Sequence, residues 1–385
     1  MIIGRSINLI PTWQEPSPLP ENPTVIKLNV SSPVTFTINT SSGELPLIID
    51  WGDGTTEKFT YSISHGYAVG LFDIKIYCEA ENKWTLVEFT QSTTGTARIQ
   101  EFHFGAGLTE VGLEAFSGQS ELSKVSIDDL KDWFNITFDS LHSNPLTIAH
   151  DLYVGDELLV DLVVPQLTDI KNYAFYGSSI RKVYLTGLVN IGSFAFHSCA
   201  SLTEVYQDND DRIGTYTYAG DVFFGCTSLS KVFVHIGAYD GHLKFEGDYS
   251  NPLYYARRLY RIDNGAEINT IDSTSSSADA QYKYIHCDSL VSATMTSVGK
   301  SEFEGCKNLR SVDLSFSSSI AQSAFSGCTS LESLTLRSSK TVTLDTDALK
   351  DVPLTCKIYV PSGSVNSYKS NSAWADRKDY IFAIS

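Results

Sequence analysis

The sequence predicts a mainly β chain with short helices: an N-terminal two-sheet sandwich, then a solenoid of short stacked coils with a parallel sheet along its concave face, then a C-terminal cap. Three observations carry this. Residues from about Thr24 to Thr94 alternate apolar and polar side chains in short runs. From about Gln100 one frame of just over twenty residues recurs, as from Phe175 to Phe196 or from Phe303 to Phe325. After Val352 the frame stops.

Residues 1–23 form a Pro-rich arm with one aromatic, Trp13. It is expected either to stay flexible or to order against a neighbouring subunit as an anchoring peptide. Residues 24–97 hold the runs FTINTS, LPLIIDWGDGT, LFDIKIYCEA and WTLVEFTQ. Trp51 is the expected sandwich anchor, and Asp53, between two glycines, is expected to close a tight turn on its own backbone. Cys78 alternates with Ile74 and Ile76, which places it on an inner strand face. The WGDGT of Trp51–Thr55, followed by His65-x-Tyr67, resembles the PKD-type immunoglobulin-like domain. That resemblance implies a spacer or interaction module with no reaction of its own.

Residues 98–352 carry the frame AF, a short polar stretch, then L-x-x-V-x-L. Its Phe positions are Phe116, Phe175, Phe196, Phe223, Phe303 and Phe325, with Leu349 in a degenerate last copy. A unit this short has no core of its own and must stack on its neighbours. The last two apolar residues of L-x-x-V-x-L are two apart, so they point inward from one short strand, and the residue between them points out. Small-then-large AF suits a turn or short helix on the far side of the coil. Cys199, Cys226, Cys306 and Cys328 recur at one place in the frame, which marks buried packing thiols rather than cross-links.

One phrase occurs twice, SNPLTIAHDLY from Ser143 and SNPLYYARRLY from Ser250. A shift of 107 residues carries Phe116 to Phe223, Val125 to Val232, Phe138 to Phe245 and Tyr153 to Tyr260. The phrase therefore belongs to a duplicated, widened coil, and each copy leads into an expected hairpin, the second with an Asn-Gly turn. Between Asn264 and Ile285 no AF half is recognisable, and the frame resumes at Cys287–Met295.

The AFxGCxxLxxVxL frame, the SNPLxxAxxLY insert and the ending from Cys356 (residues 353–385, the cap) resemble the BspA-type leucine-rich repeat proteins. The resemblance covers about Gln100 to the C-terminus. It implies a leucine-rich-repeat solenoid and a bacterial surface context.

The formal net charge of −17 argues against a nucleic-acid partner and against adsorption to an anionic bilayer. No run approaches the roughly 20 apolar residues of a membrane helix, and the first residues lack the pattern of a secretory signal. No zinc, nucleophile-elbow or phosphate-loop motif is present, so no enzyme, catalytic residue, cofactor or metal is expected. QDNDDR (Gln207–Arg212) lacks the ladder of a calcium loop, and His197 with Cys199, or His286 with Cys287, are single pairs expected to be structural.

The expected binding residues are the outward aromatics Tyr184, Tyr206 and Phe233, joined by Tyr216, Tyr218 and Tyr239 in nearby loops, with ring faces available to a protein or glycan receptor. The alternative is that the insert after Tyr206 covers them. The function expected from these features is non-enzymatic receptor recognition by a bacteriophage virion component: a tail, fibre or capsid appendage contacting neighbouring subunits through its arm. The alternatives are a secreted or cell-surface adhesin of a host-associated bacterium and, remotely, an accessory module of a glycan-processing enzyme.

Overall fold

The computed structural model describes residues 19–41, 46–79, 82–166, 168–186, 190–208, 216–234, 243–245, 251–273 and 281–384. The N-terminal strands are β1 (Thr24–Ser32), β2 (Val34–Ser41), β3 (Leu47–Asp50), β4 (Thr56–Phe59), β5 (Ser62–Tyr67), β6 (Gly70–Tyr77), β7 (Trp84–Gln91), β8 (Thr96–Phe104) and β9 (Leu108–Val111). Their alternation buries one face of each strand, so two sheets close over Ile26, Phe36, Ile49, Trp51, Ile74 and Trp84. Trp51 is fully buried, donates Nε1–H to Glu57, and accepts the Tyr67 hydroxyl at its carbonyl, 3.0 Å away. Asp53 Oδ1 accepts the Thr55 N–H at 3.0 Å, as the Gly-Asp-Gly turn predicts. Cys78, just past β6, is buried.

The solenoid begins inside the sandwich. After β9 come β10 (Lys124–Ile127), β11 (Thr137–Phe138), β12 (Leu152–Val154) and β13 (Glu157–Leu158). β8 pairs antiparallel with β1 on one side and parallel with β10 on the other, in the order β13-β12-β10-β8-β1-β6-β3-β4. The second sheet continues likewise, since β9 pairs parallel with β7 and then with β11. The expected boundary between residues 97 and 98 thus falls within β8, where a hydrogen-bonded strand stands in place of a linker. The sandwich supplies the first rungs on which the coils stack.

The coils continue with β14 (Asp161–Val164), β15 (Lys182–Thr186), β16 (Glu204–Asp208), β17 (Tyr216–Tyr218), β18 (Lys231–Val234), β19 (Leu243–Phe245) and β20 (Leu259–Arg261). Then follow β21 (Thr270–Ser273), β22 (Ser292–Met295), β23 (Ser311–Leu314), β24 (Ser319–Ile320), β25 (Ser333–Leu336), β26 (Thr343–Leu344), β27 (Lys357–Val360) and β28 (Ile381–Ala383). The main parallel ladders are β14-β15-β16-β18-β20 and β21-β22-β23-β25-β27-β28. Leu122, Val125 and Ile127 and their counterparts in later coils are buried, as the frame predicts.

On the far side each AF half is a turn bonded to the next coil. Phe175 N–H reaches Ala195 O at 2.9 Å, Phe196 N–H reaches Val222 O at 3.1 Å, and Phe303 N–H reaches Ala324 O at 2.9 Å. The Phe rings stack in a column, with centroids 5.5 Å apart for Phe175–Phe196 and 5.6 Å for Phe303–Phe325. Beside them the recurring thiols donate to the Phe carbonyl of the preceding coil, Cys199 to Phe175, Cys226 to Phe196 and Cys328 to Phe303, each at 3.1 Å. All seven cysteines are free and buried. Burial pushes the Cys287 thiol up to about 11 and the Cys328 thiol up to about 12. The coil expected to lack an AF half has one: Lys283 and Tyr284 fill it, both buried, with Tyr284 stacked on Phe303 at 5.2 Å. The pattern hid because Lys stands where Ala is usual, and in the next coil buried Glu302 occupies the same place.

The doubled phrase has one structural meaning in both copies. Each forms a single helical turn, α1 (Leu130–Trp133) preceding α2 (Leu146–Ala149) in the first copy and α3 (Leu253–Ala256) in the second. Asn144 Nδ2 donates to Tyr173 O (2.6 Å) and Ala174 O (3.1 Å) of the next coil, while its Oδ1 accepts Leu146 N–H at 2.9 Å. Asn251 repeats this on Tyr282 O (2.6 Å), Lys283 O and Leu253 N–H, the last two at 2.9 Å. The buried amide replaces the backbone donors that a helical turn withdraws from the inter-coil ladder. Each phrase then runs into the expected hairpin, β12–β13 in the first copy and a turn at Asn264-Gly265 with a Tyr260–Glu267 bridge in the second. These hairpins divide the sheet face into panels. At the C-terminus, α4 (Val365–Ser370) and the turns after it close the last coil. Trp374 Nε1 donates to Val342 O at 2.9 Å, and Arg377 reaches the carbonyls of Val352 and Pro353.

Two measurements check this account. Asn144→Ala and Asn251→Ala are each expected to cost at least about 2 kcal/mol in denaturant unfolding, because carbonyls and an N–H lose buried partners; a loss below 0.5 kcal/mol would contradict the role given to these amides. Iodoacetamide at pH 8 is expected to label almost none of the thiols in the native chain and all of them after denaturation, read by intact mass.

Candidate functional site

Down the centre of the middle panel, β14-β15-β16-β18-β20, runs a column of outward residues, one from each strand, that are all apolar or aromatic. In-register pairing brings Val163 beside Tyr184, Tyr184 beside Tyr206, Tyr206 beside Phe233 and Phe233 beside Tyr260. The rings stack at 4.3 Å and 15° for Tyr184–Tyr206 and at 4.3 Å and 3° for Tyr206–Phe233, and Tyr260 lies tilted against Phe233 at 5.4 Å and 33°. All four are half-buried. The expectation of free ring faces is corrected here: parallel strands lie about 4.8 Å apart, so aromatics on successive rungs spend their faces on each other and leave edges outward. Tyr260, at the position of Tyr153 in the first block, lengthens the ladder beyond the expected three rings. Val163 is 56% exposed and, with exposed Leu158 and Val160 from the hairpin, extends the apolar strip at its other end.

The ladder is flanked by charge. Glu204 lies 3.1 Å from Lys182 Nζ and 3.4 Å from Lys231 Nζ, and its Oε2 accepts the Tyr206 hydroxyl at 2.8 Å. Partial burial raises the Glu204 pKa, but the Tyr206 hydrogen bond and the lysines outweigh it and hold the carboxyl below its usual 4.5. Burial, then the bond to Glu204, keeps the Tyr206 phenol protonated well above its usual range.

The other expected residues do not join this surface. Tyr218 is fully buried, where its hydroxyl accepts from the Gln207 amide at 3.0 Å, so it is a core residue. It fails as a ligand residue because β17 lies on a second face of the coil, turned inward. Tyr216 is placed by its backbone alone, in the same strand. Tyr239, Trp13, most of QDNDDR and the insert expected to cover the ladder lie outside the described residues.

A second aromatic array, unforeseen in the sequence, runs along the AF turns. Tyr173 stacks on Phe194 at 5.3 Å and 3°, and His197 lies between Tyr176 (4.6 Å) and Phe224 (4.9 Å). His197 Nδ1 meets Ser198 Oγ at 2.8 Å, and desolvation lowers the His197 pKa. The signal was present: these residues flank each AF pair at fixed offsets. Among the described residues no group of three His, Cys, Asp or Glu side chains is placed to hold a metal ion, and no helix is long and apolar enough to cross a membrane.

The pH dependence of the ladder follows from Glu204. A depressed carboxylate contributes stability that is present above its unfolded value and lost as pH falls through the folded value. Near-UV circular dichroism of the stacked tyrosines is therefore expected to hold from neutrality to about the usual 4.5 and to decline below it. In Glu204→Gln that dependence should be largely absent.

No curated protein matches this sequence. Among solved structures, the chain is similar to a leucine-rich repeat protein from Bacteroides ovatus ATCC 8483, at 15% identity and TM-score 0.29, covering 76% of this chain and 97% of that one. It is also similar to a leucine rich cell surface protein from Faecalibacterium prausnitzii A2-165, at 16% identity and TM-score 0.34, covering 80% of this chain and 91% of that one. The family model of the BspA type leucine rich repeat region matches six copies across residues 146–239 and 256–375. With over half its length in that match and its coils stacked as the frame requires, the chain belongs to the BspA-type leucine-rich repeat family.

Proposed function

We propose that this chain is a non-enzymatic recognition protein, an adhesin at the surface of a host-associated bacterium, and that it holds a protein or glycan receptor against the middle panel. The observation that carries this reading is the five-rung strip of Val163, Tyr184, Tyr206, Phe233 and Tyr260. Burying the ring edges and the exposed valine against a partner removes apolar surface from water. The paired charges along one side favour a partner with polar groups at the same edge. Family membership supports a binding role without chemistry. A virion component anchored through Trp13, or an accessory module of a glycan-processing enzyme, draws no support from the family match or the solved neighbours.

We also infer that the N-terminal sandwich is PKD-like. Buried Trp51, the Asp53 turn and the His65 ring stacked on Trp51 at 4.8 Å support this. Its role in the chain is to cap the first coil.

The test is Tyr184→Ala with Tyr206→Ala, measured by binding of the purified chain to surfaces coated with mucin or with extracellular-matrix proteins. Capture is expected to fall at least tenfold. Each lost stacking contact costs about 0.5–1.5 kcal/mol, so the variant stays folded. Unchanged capture would remove the panel as the binding surface. Recovery of the chain in purified phage particles and not in washed cell envelopes would overturn the surface reading.

A further inference from the structure

The duplicated block provides an internal control for a groove on the turn side of the second half. In the coil after the first insert, Gly177 takes the left-handed conformation at φ 71; in the coil after the second insert, His286 takes that place at φ 55. An L-residue is strained in that conformation, and Gly177 shows that the fold does not require one there. The imidazole lies against the backbone of Gly305, where a Cβ would come within 2.1 Å of His286 Nδ1. Tyr254, at the place of Thr147 in the first block, meets His286 edge to face at 5.0 Å and 83°. Arg257, at the place of His150, pairs with Asp288 at 3.0 Å. Three positions that are small or differently shaped in one copy thus form an aromatic and cationic wall in the other.

The wall borders a groove of about 450 Å³, floored by Gly305 and Gly327 and rimmed by Glu304, Lys307, Ser326 and Thr329. That volume suits a small ligand. We propose that this groove binds one or two rings of a neutral oligosaccharide, at a site separate from the middle panel and independent of the function proposed for it. A sugar ring has an apolar C–H face edged by hydroxyls that both donate and accept. Tyr254 supplies an apolar wall, Arg257 and Lys307 donate, Glu304 accepts, and Ser326 and Thr329 do both. An anion would meet the Glu304 carboxylate. A hydrocarbon side chain would strip water from the charged rim and return no hydrogen bonds.

The experiment uses the full chain on a sensor surface with neutral di- and trisaccharides built from N-acetylglucosamine, galactose and mannose. The intact chain is expected to capture at least one of them. Tyr254→Ala is expected to weaken that capture at least tenfold. His286→Gly restores the glycine found in the coil after the first insert, so it should keep or raise the melting temperature while weakening capture by a similar factor. Tyr184→Ala with Tyr206→Ala should leave it unchanged. Capture of none of these sugars, capture unaffected by both groove variants, or capture lost only in the middle-panel variant would each overturn the proposal. If Tyr254→Ala does not fold, His286→Gly decides the question alone.

Discussion

The coil-to-coil hydrogen bond is the constraint on which the rest of this molecule depends. A coil of some twenty residues buries too little to stand alone, so both its strand and its AF turn must find partners in the coils before and after it. The columns follow from that one requirement. Phe rings stack because Phe N–H groups such as those of Phe175, Phe196, Phe303 and Phe325 are bonded to the next coil. Thiols recur because a small apolar side chain with a weak donor fits beside that column and satisfies the preceding Phe carbonyl.

Wherever the ladder would break, a buried side chain takes over from the backbone. Asn144 and Asn251 serve where a helical turn replaces the AF half. Trp374 and Arg377 serve in the C-terminal cap, where side chains donate to the carbonyls of the coil before it. At the N-terminal end the sandwich does the same with strands, since β8 and β9 offer the first coils a ready edge. An open edge on either side would expose unpaired backbone and invite association with other chains.

The same constraint shapes the recognition surface. In-register parallel strands place equivalent residues at one fixed spacing, so aromatics in the outward column must stack on each other. The middle panel is therefore a ribbon of ring edges rather than a row of flat platforms. The two hairpins limit it to five rungs, with polar outward residues such as Thr294, Asp313 and Thr335 in the panel beyond. The duplication gave the chain two copies of one scaffold, and their turn sides have since taken on different chemistry.

The sequence by itself determined the repeat frame, the inward residues, the duplicated insert with its hairpins and the outward place of Tyr184, Tyr206 and Phe233, because periodicity of side-chain direction is a local property of the chain. It misjudged Tyr218 and concealed Tyr260, because which face of a coil a short strand lines depends on the path of the whole coil. It hid the AF half at Lys283-Tyr284, because a buried lysine breaks the apolar pattern that marks a core position and is tolerated only where neighbouring coils accommodate it. The tertiary structure alone decided that the sandwich and the solenoid share strands, since β8 reveals its second partner only when β10 is laid beside it. Hydrogen bonds between distant strands leave no periodic mark in the residues that make them.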